Sequence, residues 1–302
     1  MISTPTTRRL SLRRPLDLRL TLAPIRIGRG DPCTKLRSDQ AFRASRTPDG
    51  PVTLHLAIDG DELIASAWGA GASWALDQVP ELVGEHDRAD FVTDHALLAD
   101  LQRHLSGLRI GASRRILEAI LPAVCAQRVS PYEAKRSYRQ VVEALGEPAP
   151  GPAETSLLLP PDARSLASAG YHDLHALGLE RRRADIVRRA AARAATVEAV
   201  VDDPPDAAEQ RLRSIAGVDV WTAAMVRQAA LGDPDAVPVG DPELKHLVSF
   251  VFTGERHGTD AQMLELLEPF RGNRGRVLRL LRASGLGPPR HGESTNGHGP
   301  LQ

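Results

Sequence analysis

The chain has 302 residues, enough for two domains and a sizeable core. Its 38 Lys and Arg offset 38 Asp and Glu, so any anion-binding face must come from local clustering of charge, as in the Arg-rich stretches 8–19, 136–139, 181–193 and 271–282. Two cysteines exclude a disulfide framework or a four-cysteine iron–sulfur cluster, no apolar run is long enough to span a membrane, and residues 1–15 lack the apolar stretch of a secretory signal; together these point to a reducing, cytoplasmic setting.

In chain order, residues 1–16 are expected to form a disordered tail. Residues 17–88 are expected to form a small antiparallel α/β domain. Asp17–Leu22, Thr53–Ile58 and Leu63–Trp68 alternate apolar and polar residues, as strands do, and Asp59-Gly60-Asp61 supplies a hairpin turn between the last two. Ala72–Val79 reads as a helix. Residues 89–284 carry helical periodicity over Asp94–His104, Arg114–Gln127, Pro131–Leu145, Pro161–Ala169, His172–Leu177, Arg181–Ala195, Pro242–Thr253, Asp260–Glu268 and Arg274–Ala283. A Gly-, Pro- and His-rich tail, 285–302, is expected to be disordered. The fold class is therefore α+β: a small N-terminal antiparallel sheet with helices, followed by a mainly helical body.

The most informative stretch of that body lies between 203 and 253. Asp203-Pro204-Pro205-Asp206 reads as a helix start, with Leu212 and Ile215 on one face. Gly217 ends this helix, and the Ala-rich segment from Trp221 begins another. Such a turn leaves free backbone N–H groups at the mouth of a helix, which suits a phosphate. Asp241-Pro242 then opens a third helix, with Asp241 as its N-cap. Taken alone, an Asp-Pro at this place is most simply a helix cap.

The sequence around these residues resembles the 3-methyladenine DNA glycosylase II (AlkA-type) branch of the helix-hairpin-helix DNA glycosylases. The hairpin, residues 206–231, carries Ala216-Gly217-Val218-Asp219-Val220-Trp221-Thr222-Ala223 where the family has roughly Pro-Gly-Ile-Gly-x-Trp-Thr-Ala. Asp241, in the loop 237–242, follows Trp221 by twenty residues, the family's distance to its catalytic Asp. Ile120–Ser130, Leu177–Ile186 and Glu268-Pro269-Phe270-Arg271 match further family segments, so the similarity spans most of residues 17–282.

The resemblance implies a base-excision enzyme that hydrolyses the N-glycosidic bond of damaged bases, alkylated purines first among them, flipped from double-stranded DNA. It implies Asp241 as the catalytic carboxylate, Trp221 and Met225 in the base pocket, and Gln127 and Arg128 at the gap left by the flipped base. Arg128 would fill that gap by stacking or bind a phosphate. Gly217, Val218, Asp219, Val220 and Thr222 would form the phosphate-binding hairpin, with loop carbonyls that suit a monovalent cation; no metal or other cofactor is implied. Bifunctional relatives carry a Lys where this chain has Trp221, which implies a monofunctional glycosylase; the resemblance also implies a two-lobed helical body, and the chain is expected to act as a monomer. Asp219 replaces a family Gly: either it caps the next helix and fills the anion site from within, or it points to solvent and leaves the backbone free. The last-helix pocket position falls near Arg279. These departures keep open a second reading, a non-catalytic or weakly active DNA-binding protein on the same fold.

Overall fold

The computed structural model describes residues 4–87 and 91–288. An N-terminal unit is built from strands β1 (Thr6–Ser11), β2 (Thr34–Leu36), β3 (Gln40–Thr47), β4 (Gly50–Asp59) and β5 (Glu62–Trp68), with helices α1 (Leu18–Thr21), α2 (Ala72–Asp77) and α3 (Val79–Leu82). The five strands form one antiparallel sheet in the order β1-β5-β4-β3-β2. Leu54, Leu56, Leu63, Ala65 and Val52 point inward from the sheet onto Leu18, Leu22, Leu76 and Val79, giving this unit its own core.

Two sequence expectations fail in this unit. Thr6–Ser11 is not a disordered tail: it pairs with β5 from Thr6↔Ala67 to Ser11↔Glu62. Its polar composition hid it, because an edge strand needs little apolar surface and tolerates Arg on its open side. Asp17–Leu22 is not a strand. The Asp17 carboxylate accepts the Leu20 N–H (2.8 Å), capping a helical turn that buries Leu18 and Leu22 together. The expected hairpin does form, with Asp59 opposite Glu62 across the turn.

The remainder is helical: α4 (Ala96–His104), α5 (Ile116–Cys125), α6 (Pro131–Leu145), α7 (Ala163–Ser168), α8 (Tyr171–Ala176), α9 (Arg181–Ala192), α10 (Ala194–Glu198), α11 (Pro205–Arg213), α12 (Val220–Val226), α13 (Leu244–Thr253), α14 (Asp260–Leu267) and α15 (Arg274–Ser284). A two-residue ladder, β6 (Glu147–Pro148) with β7 (Leu158–Leu159), closes the Pro-rich loop after α6. The helix expected over 181–195 breaks at Arg193, whose φ of −116° and ψ of 28° are not helical. Gly285–Pro288 of the expected tail is described; 289–302 lies outside the described residues.

Two helical cores result. In the first, α5 buries eight of its ten residues, which only a central helix does; its Ile116, Ile120 and Val124 join Val141, Ile186, Val187, Ala223 and Val226 from α6, α9 and α12. In the second, Leu98 of α4 meets Leu244, Val248, Met263, Leu267, Val277 and Leu281 of α13 to α15. The chain passes from the first core to the second between α12 and α13, so residues 232–243 lie on the seam. Arg276 of α15 pairs with buried Asp87, and the Arg279 guanidinium donates to the carbonyls of Leu20 (2.6 Å) and Thr21 (3.0 Å), tying the second core to the N-terminal unit.

Candidate active site

The hairpin is α11, the turn Ser214–Asp219 and α12. Asp203 does not cap α11; its carboxylate turns to Arg211 (2.6 Å), and the helix starts on Pro205, whose missing N–H costs nothing there. The turn is pinned by the Val218 N–H on the Ile215 carbonyl (2.9 Å). Gly217 has φ +100°, and a Cβ placed on it would lie 2.5 Å from Cγ1 of Ile186, so both conformation and space require glycine. Val218 is buried, which leaves its backbone, not its side chain, for any ligand.

Asp219 caps α12. One of its carboxylate oxygens accepts both the N–H (2.9 Å) and the hydroxyl (2.7 Å) of Thr222. The carboxylate thus caps the helix, as the first sequence reading has it, while the residue stays exposed to solvent, as the second has it. Gln127, buried at the end of α5, donates to the Thr222 hydroxyl oxygen (2.7 Å) and to the Gly217 carbonyl (3.2 Å). This chain of bonds ties the loop after α5 to the hairpin. The next residue, Arg128, is exposed with φ +54°, a conformation costing a non-glycine residue about 1–3 kcal/mol. The buried Gln127 on one side and the Ser130–Glu133 capping box of α6 on the other hold it there.

Asp241 is 5% exposed and lies on the seam between the two helical cores. The helix it was expected to begin at Pro242 starts instead at Leu244, after a turn. Asp241 still caps it: Oδ1 accepts the N–H groups of Glu243 (3.0 Å) and Leu244 (3.1 Å). Oδ2 receives side-chain donors only, the Trp221 indole N–H (3.3 Å) and Nη2 of Arg282 (2.9 Å). One oxygen is thus fixed by backbone, while the other faces groups that can exchange partners.

An open groove runs past these elements, lined among others by Gln127, Arg128, Asp219, Trp221, Gly240 and Pro242. It brings the loop after α5, the hairpin and the Asp241 loop onto one surface. Met225, one turn beyond Trp221, packs instead against the first helical core. Arg279 does not reach the groove. Enclosure of its guanidinium pulls its pKa down to about 10, and its bonds go to α1. The last-helix residue at the site is Arg282, one turn further on. Its signal is present in the sequence, since Arg276, Arg279 and Arg282 recur every third residue along α15. Among the described residues no cluster of three or more His, Cys, Asp or Glu could hold a metal, and no helix is long and apolar enough to cross a membrane.

No family model and no curated protein matches the chain in sequence. Solved structures do match its fold. A 3-methyladenine DNA glycosylase from Archaeoglobus fulgidus superposes with a TM-score of 0.76 at 20% identity, covering 91% of this chain and 97% of its own. The 8-oxoguanine glycosylase/lyase of Clostridium acetobutylicum, in complex with double-stranded DNA, gives 0.71 at 12%, covering 94% and 99%. The Schizosaccharomyces pombe 3-methyladenine DNA glycosylase in complex with abasic DNA gives 0.51 at 17%, covering 62% and 91%. The chain shares its fold with these solved DNA glycosylases.

Proposed function

We propose that the chain is a monofunctional DNA glycosylase of base-excision repair, which hydrolyses the N-glycosidic bond of damaged bases, alkylated purines first among them, flipped from duplex DNA. The observation that carries this reading is the contact of Trp221 with Asp241: an aromatic ring and a carboxylate meet beside a groove that Trp221 and Arg128 both line. The fold shared with glycosylases solved on DNA supports it.

In this mechanism the hairpin backbone from Gly217 to Thr222 holds a phosphate, Arg128 enters the gap, and the extruded base stacks on Trp221. As the bond between the base nitrogen and C1′ breaks, the electron pair leaves with the base and positive charge develops on the sugar. Oδ2 of Asp241 faces that charge, while Oδ1 stays anchored on Glu243 and Leu244. Water then adds to C1′ and gives its proton to the carboxylate. Trp221 offers no amine, so no Schiff base forms and the abasic sugar stays in the DNA strand. The chain acts as a cytoplasmic monomer on DNA, with the N-terminal unit, from β1 to α3, as a structural domain and the helical remainder as the catalytic one.

The test is Asp241→Asn against a panel of oligonucleotides, each carrying one lesion and scored for abasic sites. The variant is expected to lose base release and keep abasic-site binding; retained turnover would remove Asp241 from the mechanism. Asp219 in the anion position and Arg282 on Asp241 favour a second reading, a weakly active or non-catalytic lesion-binding protein. Wild-type protein that binds lesion DNA but releases no base from the whole panel would decide for it.

A further inference from the structure

The lining of the groove beside Trp221 is ill suited to hold a polyanion by itself. Among the described residues, Glu133, Asp219 and Asp260 line it against one cation, Arg128. Glu133 and Asp219 bond to the neutral donors of Ser130 and Thr222, which leaves their charges in place. The solvent face of α6 carries the opposite sign. Tyr132, Arg136 and Arg139 lie at i, i+4 and i+7 on one side of the helix, with Lys135 flanking them. All four are exposed, Tyr132 to 74%. This stripe starts at the groove, because Ser130, which lines the groove, also caps α6. Further along, the loop 26–30 of the N-terminal unit runs beside it. A Cβ on Gly28 would lie 2.9 Å from Cδ of Lys135, and one on Gly30 3.8 Å from Nη1 of Arg139, so exposed Arg29 joins the same surface. The nearby acids do not cancel these charges. Glu143 pairs with Arg139 (2.7 Å), and buried Asp31 spends its carboxylate on the N–H groups of Ile27, Cys33 and Thr34. Among the described residues no carboxylate forms an ion pair with Arg29, Arg128, Lys135 or Arg136.

From this geometry we propose that the α6 stripe, continued by Arg29, is a second DNA-binding surface, which holds backbone phosphates of the duplex beyond the lesion groove. It rests on the glycosylase reading above only for placing the lesion at Trp221. From Tyr132 to Arg139 the stripe covers roughly 10 Å of helix axis at 1.5 Å per residue. Each strand of a duplex brings one phosphate per ~3.4 Å of its axis, so the stripe spans about three of them. Lys and Arg contacts of this kind hold and orient the duplex without reading its sequence, and the Tyr132 hydroxyl is a neutral donor to a phosphate oxygen on the same face. The stripe thereby supplies the attraction that the acid-lined groove lacks.

Equilibrium binding is measured on a duplex with a tetrahydrofuran abasic analogue and on an undamaged duplex of the same length, from about 50 to about 200 mM salt. The proteins are wild type, Lys135→Gln/Arg136→Gln and a charge-matched control, Arg8→Gln/Arg9→Gln. The control lies on β1, the edge of the sheet opposite β2, into which the loop 26–30 leads. The α6 variant is expected to flatten the slope of log affinity against log salt by roughly 1.8, which is two phosphate contacts at about 0.9 each. The change should be equal on both duplexes, because phosphate contacts sense no lesion. The control should keep the wild-type slope. A wild-type slope in the α6 variant overturns the proposal and leaves the stripe to another acidic partner. An equal flattening in the control also overturns it, because net charge and not place would then be the cause. Base release from the lesion panel, followed in parallel, separates the two readings. A flattened slope in a protein that releases no base keeps the surface and removes the glycosylase; base release with an unchanged slope does the reverse.

Discussion

Asp219 and Thr222 close a ring at the mouth of the hairpin, with one Asp219 carboxylate oxygen accepting both the backbone N–H and the hydroxyl of Thr222. The ring stabilises the start of α12 and puts a negative charge where the proposed function needs a phosphate. Asp219→Ser keeps a capping oxygen and removes the charge. Its affinity for abasic-analogue duplex is expected to rise roughly two- to fivefold, the modest scale of an exposed charge, with little change in stability. Affinity equal to wild type would show that no phosphate approaches Asp219.

Gln127 joins the loop after α5 to this ring through its amide N–H groups, which meet two oxygens, Thr222 Oγ1 and the Gly217 carbonyl. Gln127→Ala strands both in a buried place and is expected to cost about 2–3 kcal/mol in urea unfolding. Gln127→Glu keeps the shape but offers only acceptors to those oxygens, so it should cost at least as much. A Gln127→Glu variant as stable as wild type would mean that this network does not hold the loop to the hairpin.

The parts of the site legible in the sequence are those written in local chemistry. Gly217 was visible because a helix stop needs positive φ, and Asp241 because Asp-Pro opens helices. The order of Gln127, Trp221 and Asp241 along the chain was visible too, but their meeting depends on α5 and α12 sharing a core with α9, which no local pattern states. Arg282 was missed for the same reason. Arg279 and Arg282 look alike in sequence, and only the tilt of α15 against α1 and α13 decides which is enclosed and which reaches Asp241. In the N-terminal unit, alternation in Asp17–Leu22 misled because a single capping bond from Asp17 outweighs a period-two pattern over six residues. Thr6–Ser11 was overlooked because β5, fifty residues away, supplies its backbone partners.

Trp221 stands where a Schiff-base lysine would be needed, and Lys245, on α13 near the site, faces Asp260 at 3.9 Å. Borohydride added during turnover on lesion DNA is therefore expected to trap no covalent protein–DNA conjugate. The DNA product should stay uncut until abasic sites are cleaved by alkali. A trapped conjugate that disappears in Lys245→Met would place the chain among the glycosylase/lyases instead.

Asp235 lies in the loop that leads to Asp241. Its carboxylate accepts the N–H groups of Gly272 (2.8 Å) and Arg274 (3.0 Å) and the Arg274 guanidinium, fastening the loop before Asp241 to the start of α15. Burial pushes the carboxyl pKa up, but the Arg274 side chain and the two backbone bonds outweigh it and hold the group below the ordinary carboxylate range. A pKa lowered by folding means that the folded state binds fewer protons, so this stabilisation is complete above the unfolded value of about 4 and disappears as pH falls through the folded one. Asp235→Asn should thus lose roughly 2 kcal/mol in urea unfolding at pH 7, the scale of a charged hydrogen-bond set, and converge on wild type as pH is lowered below about 4. Because the same bonds set the loop that carries Asp241, base release by Asp235→Asn should fall at pH 7 while abasic-site binding through the hairpin is kept. A stability gap that stays constant from pH 7 to pH 3 would show that shape, and not charge, is what Asp235 supplies to that loop.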